Sequence, residues 1–168
     1  MEANTVILSW GKCSVYVKKS SDTNWKKFPP IVENSTTLTP TAGDTLTANI
    51  EGGEAEATKN KANTYELVYQ SRVVPGRTFP IEHKNGVVDG EYAVAVVPED
   101  TEALGVVLDR TAASVLDGTF SSENGIVNEY HHNGLLPTDE SNIVKMKKIT
   151  VAEVSGSKGE YTLTMADA

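Results

Sequence analysis

The sequence predicts an antiparallel all-β domain with one short helix. Three observations predict it. Tight-turn dipeptides recur along the chain: Asn85-Gly86, Asn124-Gly125 and Asn133-Gly134, with Asp89-Gly90 and Asp117-Gly118. Between them lie short runs rich in Val, Ile, Thr and Tyr, the composition of strands. Only Pro98–Leu104 carries helix punctuation, with Pro and acids at its start and Gly105 just past its end. Helix content is therefore expected to stay below about a tenth.

Taken in order, Val6–Leu8 and Cys13–Val17 read as short strands around Gly11. In the second, Cys13, Val15 and Val17 face one way and Ser14 and Tyr16 the other. Lys18–Asp22 is a solvated turn, and Pro29-Pro30 ends any pairing that follows Trp25 and Phe28. Val73–Gly76 has Pro and Gly placed for a type II turn. Tyr92–Val97 is apolar on both faces, which marks a central strand. Gly105–Leu108 reads as strand. Thr111–Leu116 fits either a strand or a helical turn ended by Asp117-Gly118. Ile126–His131, Ile143–Val154 and the alternating Tyr161, Leu163 and Met165 complete the strands, and Thr138–Ser141 is an acidic loop.

The stretch Ser35–Gln70 organises the rest. Thr45, Thr47 and Asn49 alternate with Leu46, Ala48 and Ile50, the period of a half-buried strand. Gly52-Gly53 then reads as a bulge or bend. Glu54 and Glu56 alternate with Ala55 and Ala57. Beyond a polar loop at Thr58–Asn63, Tyr65, Leu67 and Tyr69 alternate with Glu66, Val68 and Gln70. The whole is a long hairpin, with Leu46, Ala48 and Ile50 expected in the core. From Ser35 to Ala57 its charged residues are Asp44, Glu51, Glu54 and Glu56, all negative, in a chain of net charge −8. Lysines gather elsewhere, five against one acid between Lys12 and Lys27, with Lys145, Lys147 and Lys148 near the C-terminus.

At 168 residues the chain is long enough for one domain with a sizeable core. Hydrophobic residues at 39%, charged residues at 23% and a mean hydropathy of −0.29 describe an ordinary globular composition. No apolar run approaches the roughly 20 residues of a spanning helix. Val6–Leu8 is short for a leader core and Glu2 stands where a basic start is expected, so use without Sec export is expected. The single Cys13 excludes an internal disulfide and suits a reducing compartment. A pI near 4.9 argues against tight nucleic-acid binding.

Catalytic signatures are missing. The sequence holds no Walker loop, dinucleotide fingerprint, Gly-x-Ser-x-Gly or His-Glu-x-x-His. Cys13, set among valines, reads as core. Glu129 and His131 share a strand face and could hold a metal with His132 or His83, although a polar outer face explains them as well. Glu54 and Glu56 could be a glycosidase acid pair, but nothing aromatic or basic interleaves with them to hold a sugar, and a solvated strand face accounts for them. Trp10, Trp25 and Tyr16 could form a carbohydrate platform, or simply core. The lysines at 145, 147 and 148 read as a charged edge or a complement to an acidic neighbour.

Thr37–Asp44, followed by Ile50-Glu-Gly-Gly-Glu-Ala-Glu56, Tyr65-Glu-Leu67 and Tyr92–Asp100, resembles the major tail (tail tube) proteins of long-tailed bacteriophages, in the form found in phages and prophages of Bacteroidales-type hosts. The likeness covers about Lys12 to Lys148 and is strongest in the middle third. It implies a single domain over residues 1–168, an antiparallel β-sandwich or barrel of the tail-tube type with one short flanking helix. Six such subunits would close a ring, and rings would stack into a tube for DNA passage. It also implies assembly in the host cytoplasm, location in the virion, and tail-tip, tape-measure and tail-terminator partners. DNA would pass without tight binding, and no cofactor, membrane or catalytic residue is expected. Within that frame Glu51, Glu54, Glu56 and Glu66 are expected to line the channel. Lys18, Lys19, Lys59, Lys61, Lys145 and Lys147 are expected to contact neighbouring subunits. Loops at about 18–24, 58–63 and 137–142 are expected to order on stacking. The alternatives are an immunoglobulin-like or carbohydrate-binding sandwich of a bacterial surface protein, and a hydrolase using Glu54 and Glu56.

Overall fold

A computed structural model describes residues 6–167; Glu2, part of the leader argument, lies outside them. The described residues form eleven strands and no helix: β1 Cys13–Lys19, β2 Trp25–Lys27, β3 Thr37–Thr41, β4 Thr45–Asn49, β5 Ala55–Asn60, β6 Thr64–Arg72, β7 Val87–Pro98, β8 Gly105–Ser121, β9 Gly125–Gly134, β10 Val144–Glu153 and β11 Glu160–Ala166. All pairings are antiparallel.

Nine strands run in the order β10-β11-β2-β1-β7-β8-β9-β6-β3, and β10 also pairs with β8, closing part of the sheet into a ring. The 17-residue β8 makes this possible. Along one edge its Gly105–Leu108 segment pairs with β10, and from Thr111 onward it pairs with β9. Its other edge follows β7. Strands β7 and β8 thus belong both to the ring β8-β10-β11-β2-β1-β7 and to an open sheet β7-β8-β9-β6-β3.

That double membership is why β7 is apolar on both faces. Tyr92 and Val94 join Val15, Val17, Leu67, Tyr69 and Tyr130 in one core, roofed by Phe28 and Ile81 from the connecting segments. Ala93 and Ala95 point the other way, toward Tyr16, Trp25, Val107 and Ile149 inside the ring. The small alanines fit a narrow ring interior that Tyr16 and Trp25 already fill. Strand β1 divides as its alternation predicts, Val15 and Val17 to one core and Tyr16 to the other. In the first core Tyr69 stacks on Tyr130 with ring centroids 5.4 Å apart, and Phe28 meets both rings edge-on. Such aromatic pairs contribute roughly 0.5–1.5 kcal/mol each beyond their burial.

The other face of the open sheet is uncovered. Register places Val87, Ser114, His131, Val68 and Thr37 in one row across five strands, and Glu91, Ala112, Asn133, Glu66 and Thr39 in the next. Among these, Val87, Ser114, Thr37, Ala112, Asn133 and Thr39 are exposed.

Several sequence expectations are corrected. Pro98–Leu104 is no helix. Pro98 ends β7, and the connection to β8 is a turn in which Asp100 accepts from the backbone N–H of Glu102 and of Ala103. Asp followed by Gly a few residues on punctuates an Asx turn as well as a helix, and the pairing of Pro98 with Cys13 and of Gly105 with Lys147 keeps both ends of the segment in strand. Val6–Leu8 is unpaired and exposed. Asp89-Gly90 and Asp117-Gly118 do not reverse the chain but sit at register shifts within β7 and β8. Thr111–Leu116 is strand. The supposed loop at 58–63 is strand as far as Asn60.

Candidate functional site

The feature that stands apart from the body is an arm made by β4 and β5, which pair only with each other. It continues the β3–β6 ribbon outward beyond its last pair, Thr41 with Thr64. At the root the two chains pinch together. A Cβ on Gly43 would lie 2.1 Å from the Lys61 carbonyl oxygen, so only glycine fits there. The Gly43 N–H donates to Asn63 Oδ1 at 3.2 Å and the Lys61 N–H to the Asp44 carbonyl at 2.8 Å. The arm turns at Gly52-Gly53, with φ of 99° and 89°, a conformation that L side chains resist. The Ile50 N–H donates to Glu54 O across the turn. Gly-Gly is therefore the reversal and Lys61-Ala62-Asn63 the interruption, the opposite of the sequence expectation.

Every residue of β4 and β5 is exposed. Leu46 is 52% and Ile50 45% exposed, so the expected core placement of Leu46, Ala48 and Ile50 is wrong. A bulge at Glu56 sets Ala57 opposite Ala48 and Ala55 opposite Asn49, which splits the two alanines between faces. One face of the arm carries Leu46, Ala48, Ala57 and the Lys59 stem. From Ala48 to Thr58 the charges are Glu51, Glu54 and Glu56, with no base. Lys59 and Lys61 lie nearer the root.

Glu66 does not join the other three acids. It stands on β6, on the uncovered sheet face, 3.2 Å from His131 Nδ1. Glu129 flanks the same ring 3.4 Å from Nε2, off the hydrogen-bonding direction. His132 points the opposite way into the core and is fully buried, so the four suggested metal ligands do not converge. No cluster of three ligating side chains occurs among the described residues.

The C-terminal lysines have partners in their own chain: Lys145 with Asp109 at 2.5 Å, Lys147 with Asp167, and Lys148 with Glu102 at 3.3 Å. Lys18 lies over the Trp25 ring, 5.3 Å from its centroid. Arg110 grips Glu91 through two hydrogen bonds of 2.6 and 2.8 Å, which holds that carboxyl below its usual range. Lys18, Glu91, Asp109 and Arg110 border a groove of about 420 Å3 that Trp25, Tyr92 and Pro137 also line. The suggested aromatic platform is dispersed, since Tyr16 and Trp25 are buried and Trp10 is exposed.

A second surface escaped the sequence reading. At the tip of the β8–β9 hairpin Phe120 pairs directly with Ile126, and both are exposed, Phe120 at 73%. The signal was present: the two residues flank Asn124-Gly125 closely enough to face each other across the turn. Comparison with known proteins adds no relative, since no family model, curated protein or solved structure matches the chain.

Proposed function

We propose that this chain is a structural subunit of a bacteriophage tail tube, which assembles into stacked hexameric rings around a channel for DNA. The observation that carries the reading is the arm. A lone two-stranded hairpin is at best marginally stable in water. One with Leu46 and Ile50 exposed gains its order from burial against another molecule. Such an arm on a sandwich-like all-β body is what a subunit that reaches its neighbours requires. The segregation of acids on the arm supports the same reading, because unlike patches on one subunit favour head-to-tail contact.

The uncovered sheet face supplies the wall in this reading. Glu66 and Glu129 on that face would repel phosphate within a Debye length of about 8 Å and keep passing DNA unbound. Glu51, Glu54 and Glu56 stand on the arm and are assigned to contact between subunits instead. Light scattering and negative-stain microscopy over a concentration series test the proposal. Rings or tubes are the expected outcome. A chain that stays monomeric throughout, alone and with its tail-tip partners, would remove it. In a density map of the tube, Glu66 should face the lumen.

A further inference from the structure

We infer that the tip of the β8–β9 hairpin is the receptor for the β4–β5 arm of another copy, an inference that rests on the self-assembly proposed above. Position is the first argument. Strand β6 starts at Thr64, beside the root of the arm, and ends at Arg72, beside the tip. Its nine residues hold arm and tip about 26 Å apart at opposite ends of one sheet. Surfaces so placed cannot meet within one molecule, but they can meet in a head-to-tail series of copies.

Chemistry is the second argument. At the tip, Phe120 and Ile126 stand side by side, and the Val73 N–H donates to Ile126 O, which brings the end of β6 alongside them, with Val74, 40% exposed, one residue further on. Arg72 stands opposite Val127, one register row from Phe120 and Ile126, and reaches the hairpin turn, and Arg77 is tied to the Arg72 backbone. Their hydrogen bonds go to backbone carbonyls, Arg72 Nε to Asn124 at 3.2 Å and Arg77 Nη1 to Arg72 at 3.1 Å. Neither has a carboxylate within ion-pair distance among the described residues, although Glu123 and Asp117 lie on the same hairpin. The arm offers the complement, an apolar face of Leu46, Ala48 and Ala57 and the unpaired acids Glu51, Glu54 and Glu56. Exposed apolar residues with charges of opposite sign close by describe both halves of one interface. The other arginine of the chain, Arg110, is already held by Glu91, and the C-terminal lysines by their own acids, which leaves the tip as the arginine-bearing surface open to the arm.

A charge swap tests the inference with the full chain. One variant carries E51K, E54K and E56K; the other carries R72E and R77E. All five positions lie outside the two cores, and circular dichroism with thermal melting verifies that each variant folds. Each variant alone should need about tenfold or more protein to reach half-assembly. An equimolar mixture should recover assembly, because reversed arms then meet reversed tips. As a second measurement, Phe120→Ala should weaken assembly while leaving the melting temperature unchanged. If R72E/R77E and F120A assemble like the wild type, the receptor assignment is overturned and self-assembly stands. If the arm variant fails and the mixture does not rescue it, the arm docks elsewhere, with the lysines between Lys12 and Lys27 as the next surface. A wild-type chain that never assembles removes the tube reading and the docking together.

Discussion

His132 illustrates how completely single residues are fixed in the first core. It is fully buried, and its hydrogen bonds determine its proton. The Thr111 hydroxyl donates to the Tyr92 carbonyl at 2.7 Å and so accepts from His132 Nδ1–H at 3.0 Å. Nε2 is left to accept from the Tyr69 hydroxyl at 2.8 Å. Burial, with a smaller contribution from neighbouring His131, pushes the His132 pKa down to about 3. The unfolded chain takes up the proton near 6.5, so stability is fully present above that pH and is lost progressively as the pH falls toward 3. Between pH 7 and 5 this one group should remove about 2 kcal/mol, read as a lower urea midpoint. The imidazole resonances of His132 should keep their neutral positions throughout that interval. Gly43 is fixed by contact instead. Gly43→Ala would press a methyl group into the Lys61 carbonyl and part the strands at the root of the arm. Assembly should weaken while the melting temperature of the body moves by only a few degrees.

At the scale of elements, the arm and the body should separate in hydrogen exchange. Amides of β4 and β5 should exchange quickly in the isolated subunit and slowly once assembled, whereas β1 and β7 are protected in both states. Fast exchange in the assembled form would show the arm to be unbound there. The sequence reveals the strands of this arm but not their surroundings. Leu46 and Leu67 occupy the same place in two alternating runs, yet Leu46 is 52% exposed and Leu67 1%. Alternation specifies that a strand has two unlike faces and says nothing of what lies against them. The turn was misplaced for a related reason, since Gly-Gly and Lys-Asn-Lys both break the pattern and only backbone dihedrals tell a reversal from a kink. The Tyr92–Val97 part of β7 was legible because an apolar residue at every position admits only a location between two packed layers. At the tip, the pairing of Phe120 with Ile126 was legible but its exposure was not, because Phe120 resembles a core residue until β8 is seen to run past the core.

At the scale of the whole molecule, body and arm are organised along one direction. Replacing residues 45–60 by a two-residue turn should leave a folded monomer with a melting temperature close to that of the parent and no assembly at any concentration tested. A large fall in melting temperature would mean that the arm supports the body after all. Strands β6, β9 and the second half of β8 all run between the root of the arm and the tip of the β8–β9 hairpin. A subunit held by its neighbours at those two points therefore carries tension along its strands. The ladder hydrogen bonds of β6–β9 are then loaded together in shear, so none can break without sharing its load with the rest. Pulling from the chain ends instead loads the short β2 pairings, with only two residue pairs on each side to share the force. Single-molecule extension with handles at residues 52 and 123 should therefore need markedly higher force than extension from the two termini, and the subunit would be strongest along the line on which its neighbours pull.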